Sequence, residues 1–292
     1  MSVHVDRIFH TTHIVEDITP VWKKHMEVFG ALAFRETYLE ALDVDMLCMY
    51  IADHGYEPMA PRSDRSPLMA YLKASGSSMH SFEMYVDDPR EAAAEVQRLG
   101  GQVLDASDTF FMFHPRTTGG IIVQAAADDR DPLGMTGNDP YCLPSWNPDW
   151  LVGHASGVRR LAAMVFGVPD VERSRGFFTE ILDGKDLGTQ PAADGTERQF
   201  VGVAGEIICL GGPAADGDDP FSQYAAARNS CFYALCWLVS DLEQTEAYLT
   251  ARGLHITRED CGLGSFAVEP DDMFGVRHEF TTVSYRAGDG NG

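Results

Sequence analysis

Basic residues are scarce in this chain: 22 Lys and Arg stand against 44 Asp and Glu, a formal net charge of −22. A field of that sign repels phosphate backbones and anionic lipid surfaces, which excludes nucleic acid and membranes as broad partners. Anionic small molecules stay open, because a local basic patch or a bound cation can hold them. Long apolar runs are missing too. None approaches the roughly 20 residues of a membrane helix, and the opening MSVHVDRIFH lacks the basic-then-apolar pattern of a secretory leader, so a cytoplasmic protein is expected. The six cysteines (Cys48, Cys142, Cys209, Cys231, Cys236, Cys261) form no CxxC and mostly sit in apolar strand-like runs, the usual setting of reduced buried thiols. No Gly-x-Ser-x-Gly elbow is present. Gly119-Gly120 precede neither a Lys-Ser/Thr pair nor a helix, which removes a phosphate loop.

What the chain does have is a repeat. HTTHIVEDITPVWKKHMEVFG, residues 10–30, reads as a strand, an acidic turn and a helix whose apolar positions Ile18, Val21, Trp22 and Phe29 recur at helical spacing before Gly30. LAAMVFGVPDVERSRGFFTEILDG, residues 161–184, repeats that plan about 150 residues later, with Asp170 for Asp17 and Gly184 closing the helix. FEMYVDDPREAAAEVQRLGG at 82–101 meets LCWLVSDLEQTEAYLTARGL at 235–254 with the same shift, Asp88 on Asp241 and Gly100 on Gly253. Each half also repeats internally, since Val15-Glu16-Asp17 is echoed by Val86-Asp87-Asp88. Four strand-turn-helix units follow. Runs such as MLCMYIA at 46–52, FVGVAGEIICL at 200–210 and GGIIVQAAA at 119–127 read as further strands. Domains are expected at 1–130 and 156–286. Residues 131–155, rich in Pro, Gly, Asn and Trp, read as an ordered linker carrying Trp146 and Trp150, and 287–292 as a frayed tail.

These units, with a histidine seven residues before the turn aspartate, resemble the glyoxalase and methylmalonyl-CoA epimerase branch of the vicinal oxygen chelate superfamily. YEPMAPRSDRSPLMA, residues 56–70, and HPRTTGGIIVQ, residues 114–124, resemble stretches of the same branch. The likeness covers nearly all of 7–127 and, more weakly, 158–283. It implies an α+β fold of four βαβββ modules in two tandem glyoxalase-like half-barrel domains, with a divalent metal among inward-facing ligands. Carried over position by position, the ligands are His10, Glu57, His80 and Gln124. Gln124 stands where the branch usually has Glu. The third place falls on Ser81, so a β-bulge would be needed to turn His80 inward, with Glu83 as the substitute. In the second half the aligned places are Ala163, Glu206, Ala234 and Glu279, which implies a lost site there.

A mixed nitrogen and oxygen set suits Zn, Ni, Co, Fe, Mn or Mg. Such an ion stabilises an enolate, and Glu57 or Glu83 would be the base. The function so implied is a metal-dependent lyase or isomerase acting on a small carbonyl or acyl-thioester substrate, with homodimerisation left open. The rivals are a non-catalytic small-molecule binding or resistance protein and an extradiol-type dioxygenase. The last requires two histidines and a glutamate in the second half, where Ala163 and Ala234 stand in the histidine places. Other histidines have plainer expectations: a core role for His13, a solvated loop or the cavity mouth for His54, and a turn-fixing role for His114.

Overall fold

The computed structural model describes residues 2–127, 153–191, 197–212, 223, 231–259 and 261–286. The tail at 287–292 and all of the expected linker but residues 153–155 lie outside the described residues. Each half is one eight-stranded sheet built from two modules. In the first half β1 (Arg7–Ile14), α1 (Ile18–Phe29), β2 (Leu32–Leu39), β3 (Val44–Ile51) and β4 (His54–Pro61) make one module. After α2 (Leu68–Ser75), the other comprises β5 (Ser78–Val86), α3 (Pro89–Arg98), β6 (Val103–Leu104), β7 (Phe110–Phe113), the short α4 (Pro115–Thr118) and β8 (Val123–Ala127). The strand order is β2-β3-β4-β1-β5-β8-β7-β6.

The second half reuses that order. Its strands are β9 (Val158–Gly167), β10 (Lys185–Pro191), β11 (Glu197–Val203), β12 (Glu206–Gly211), β13 (Phe232–Val239), β14 (Ile256–Thr257), β15 (Phe266–Val268) and β16 (Arg277–Thr281), with helices α5 (Val171–Gly176) and α6 (Leu242–Thr250). The four βαβββ modules expected from the sequence are therefore present. Among the described residues no helix is long and apolar enough to cross a membrane.

Each main helix starts where an aspartate side chain accepts from a free backbone N–H of the first turn. Asp17 accepts from Thr19, Asp88 from Arg90 and Glu91, Asp170 from Arg173, and Asp241 from Gln244. Gly30 ends α1 at φ 69°, and a Cβ there would meet the His154 ring at 2.7 Å. Gly184 does not close α5 as expected. That helix runs into a π turn over Phe177–Ile181, and Gly184 instead lets its backbone lie against the Phe178 carbonyl.

The repeat extends to its irregularities. An extra, unpaired residue bulges at Phe9 in β1, Phe34 in β2 and His80 in β5. The second half bulges at Ala162, Leu187 and Tyr233, each 153 positions later. A bulge turns the strand and re-aims side chains toward the concave face, so its recurrence fixes both cups to one plan. The apolar core is continuous across the halves and is not split into two. Phe82 lies against Phe166 and Phe178, and Phe29 against Trp237 and Phe280.

Candidate functional site

Strand β1 lies at the middle of the first sheet, parallel to β4 on one side and antiparallel to β5 on the other. The register places Thr12 beside Glu57, His10 beside Glu83, and Glu83 in turn beside Gln124 of β8. Neighbours in register project from the same face. His10, Glu57, Glu83 and Gln124 thus form a polar row across β4, β1, β5 and β8, on the face opposite Ile8, Phe82, Met84 and Val123 of the core. Gly55 makes the close approach possible, because a Cβ there would stand 2.3 Å from the Phe9 carbonyl and 3.0 Å from the His10 Cβ.

Within the row, His10 and Glu57 touch. The His10 Nε2 is 2.9 Å from Glu57 Oε2, and both side chains are buried. Burial alone would lower the pKa of the imidazole; the carboxylate of Glu57, with Glu83 adding to it, raises it to about 9. Burial pushes the Glu83 carboxyl up, helped by the charge of Glu57 and opposed by His10. The other Glu57 oxygen, Oε1, accepts from Cys48 Sγ at 3.5 Å. Phe9, Phe34, Cys48 and Tyr50 line a narrow pocket beside the pair.

His80 is placed differently. It is the bulged residue, as an inward turn would require, yet its ring packs edge-on against Tyr71 of α2 and its Nδ1 lies 3.0 Å from the Ser81 hydroxyl. Burial lowers its pKa to about 4. Glu83, and not His80, is the residue opposite His10.

The plainer histidines also find their places. His13 is buried, donates from Nε2 to the Phe274 carbonyl and accepts from the Tyr56 hydroxyl at Nδ1. His114 Nδ1 accepts from the Arg116 N–H and so caps α4. His54 is neither solvated nor in a loop: it begins β4, is buried, and pairs with the Thr11 hydroxyl at 3.1 Å.

Cys48 was not legible as a site residue, although the alternation of MLCMYIA puts Met46, Cys48 and Tyr50 on the cup face. Register also corrects one second-half assignment. Val165, the counterpart of Thr12, pairs with Cys209, so Cys209 and not Glu206 occupies the place of Glu57. Glu206 starts β12 and pairs with Arg286 at 2.8 Å. The second row therefore reads Ala163, Cys209, Cys236 and Glu279. Glu279 is spent on structure, since its two oxygens accept from the N–H groups of Gly262, Leu263 and Gly264.

Superposition on solved structures places this architecture. A triple mutant of 4-hydroxymandelate synthase from Streptomyces coelicolor matches with a TM-score of 0.67 over 95% of this chain and 92% of that one, at 13% identity. LapB, a 2,3-dioxygenase from a Pseudomonas species, matches with a TM-score of 0.61 over 98% and 95%, at 14% identity. The chain has the vicinal oxygen chelate fold. No family model matches the sequence, and no curated protein does.

Whether the first cup of this vicinal oxygen chelate fold suits a divalent ion can be judged from its donors. The 2.9 Å between Nε2 and Oε2 is the length of a hydrogen-bonded ion pair, and it also equals the edge between neighbouring ligands about 2.1 Å from an octahedral ion. Two donors are thus in place, with a third carboxylate across one strand. Among the described residues no three His, Cys, Asp or Glu side chains lie close enough to ligate together. A third donor would come from Glu83 or from the amide oxygen of Gln124, next in the row, and the buried His10 Nδ1 lacks the hydrogen-bond acceptor that usually orients a ligand imidazole.

Proposed function

We propose that the first cup is the active centre of a metal-dependent lyase or isomerase that moves a proton beside the carbonyl of a small carbonyl or acyl-thioester substrate. The observation that carries this reading is the buried His10–Glu57 contact with Glu83 opposite His10. His10 and Glu57 would hold the ion, with the amide oxygen of Gln124 beside them and Glu83 left as the base. A divalent ion bound there supplies Lewis acidity that stabilises negative charge developing on the carbonyl oxygen. Glu57 faces His10 through Oε2 and accepts from Cys48 through Oε1, contacts that fix its carboxylate in the cup. Glu83, in register with His10 across one strand, is the group that would take and return the proton.

Ring cleavage, to which the likeness with LapB points, is the second reading. Its donors belong in the second cup, where Ala163 has no donor atom and burial raises the thiols of Cys209 and Cys236 far from their ionised form. That favours the first cup and proton transfer.

The test is solvent-deuterium uptake at the carbon beside the carbonyl, measured on a panel of 2-oxo compounds and 2-substituted acyl thioesters with added divalent ions. Uptake that vanishes in Glu83→Gln supports the reading. Tight binding of a panel member without exchange would replace it by the binding-protein alternative, and oxygen consumption with catechols by the dioxygenase.

A further inference from the structure

The cup face of the first sheet carries a second row beside that of His10, Glu83 and Gln124. One register step toward the start of β1, Arg7 pairs with Tyr85, Tyr85 with Ala126 and Ala126 with Phe110, so these four share the face of the polar row. Phe9, the bulged residue, joins the two rows: its ring stands edge-on to His10 at 5.0 Å and stacks on Tyr85 at 4.8 Å. The guanidinium of Arg7 lies over both rings, its carbon 4.8 Å from the Tyr85 centroid and 5.1 Å from that of Phe9. A wall of two rings therefore runs from the buried histidine to a half-buried cation. Next to this wall Ala126 offers only a methyl between Tyr85 and a Phe110 ring that is 39% exposed, which leaves room above the strand. Glu57 and Glu83 make the cup acidic, so an anion is drawn to it only where a cation shares its face.

We infer that Arg7 determines the specificity of the first cup by pairing with a carboxylate that the substrate bears a few bonds from its reacting carbonyl. Stacking occupies the flat face of a guanidinium and leaves its in-plane N–H fork to acceptors, for which a carboxylate has the matching shape. Rows two residues apart on a strand stand roughly 7 Å from each other. A short carbon chain spans that distance, whereas the phosphates of a nucleotide thioester lie many bonds farther from its carbonyl. The carbonyl then faces the row of His10 and Glu83, and the linking carbons lie along Phe9 and Tyr85. The place of the carbonyl rests on the proton transfer proposed for that row; the place of the carboxylate rests on the Arg7 row alone.

The probes are 5-oxohexanoate and its methyl ester, titrated by ligand-observed NMR into the protein with and without Zn²⁺. The wild type is expected to bind the acid at least about tenfold more tightly than the ester, and to do so in both conditions because Arg7 sets the preference. Arg7→Met keeps an unbranched apolar chain against the rings and is expected to equalise the two probes, leaving the ester as it was. Arg7→Lys keeps the charge without the fork and should retain part of the preference; should Arg7→Met not fold, that partial loss carries the test. Where deuterium uptake is measured, Arg7→Met should raise KM for the acid and leave kcat nearly unchanged, a split that a merely structural role does not produce. An Arg7-dependent preference without any uptake would remove proton transfer and leave the assignment of Arg7 standing. Equal affinities for acid and ester in the wild type, a preference that survives in both Arg7 variants, or one that exists only with Zn²⁺ present would overturn it.

Discussion

The imidazole of His10 and the carboxylate of Glu57 reach each other at 2.9 Å from two parallel strands, β1 and β4, joined by a helix and a hairpin. Forty-six residues of chain therefore close on one buried contact. Its electrostatics set the first expectation.

In the folded protein the His10 pKa of about 9 exceeds the ordinary 6.5. A histidine raised in this sense stabilises the fold fully below pH 6.5, and the contribution is lost as pH rises through 9. Metal-free protein should lose up to about 3 kcal/mol of stability across that window. Urea midpoints between pH 6 and 10 read it directly, and His10→Asn should remove most of the slope.

Glu57→Gln keeps the shape of the pair but leaves a histidine that can no longer be charged without cost. Breaking a buried ion pair from one side costs about 3–5 kcal/mol. The loss should shrink when His10 is replaced in the same chain, because the two effects share one interaction. A double-mutant cycle by denaturant unfolding measures that coupling, and additive losses would count against a direct pair.

Gly55→Ala puts a methyl 2.3 Å from the Phe9 carbonyl. Either β4 moves away from β1 or the bulge at Phe9 flattens. An overpacking cost of about 1–3 kcal/mol is expected, together with impaired ligand or metal binding in the first cup. Gly76→Ala, where a Cβ would meet nothing within 4 Å, is the comparison: its φ of 65° costs strain but leaves the cup alone.

Where the halves meet, Trp237 donates from Nε1 to His278 Nδ1 at 2.9 Å, while His25 Nδ1 bonds the Val21 carbonyl at 2.8 Å. The Nε2 atoms of His25 and His278 have no hydrogen-bond partner, and burial holds both rings neutral, with the pKa of His25 lowered to about 4. The unfolded chain takes up these protons at 6.5. The contribution of these neutral rings is thus complete above pH 6.5 and falls as pH drops through 6.5 toward 4. His278→Leu orphans the Trp237 N–H, at a cost of about 1–3 kcal/mol at neutral pH, yet should flatten the acid limb. Tryptophan fluorescence along an acid titration tests both.

Much of this was legible in the sequence because periodicity and capping are local. Asp17, Asp88, Asp170 and Asp241 announced the helices, and the shift between the halves recurs in the bulges. Register is not local. Nothing in the local sequence tells which residue of β12 answers Glu57, and only the β9–β12 ladder selects Cys209 over Glu206. The fate of His80 likewise depends on Tyr71, a residue of a different element that offers its ring an alternative to the polar row. Arg286, the residue just before the stretch that reads as a frayed end, is anchored by acids more than 70 residues away in sequence.

Equilibrium dialysis against a divalent ion such as Co²⁺ is the most direct test that the first cup is the functional centre. Wild-type protein and Glu279→Ala should each retain the ion, whereas His10→Ala and Glu57→Ala should lose it. Retention unchanged in both first-cup variants, or loss confined to Glu279→Ala, would contradict the account.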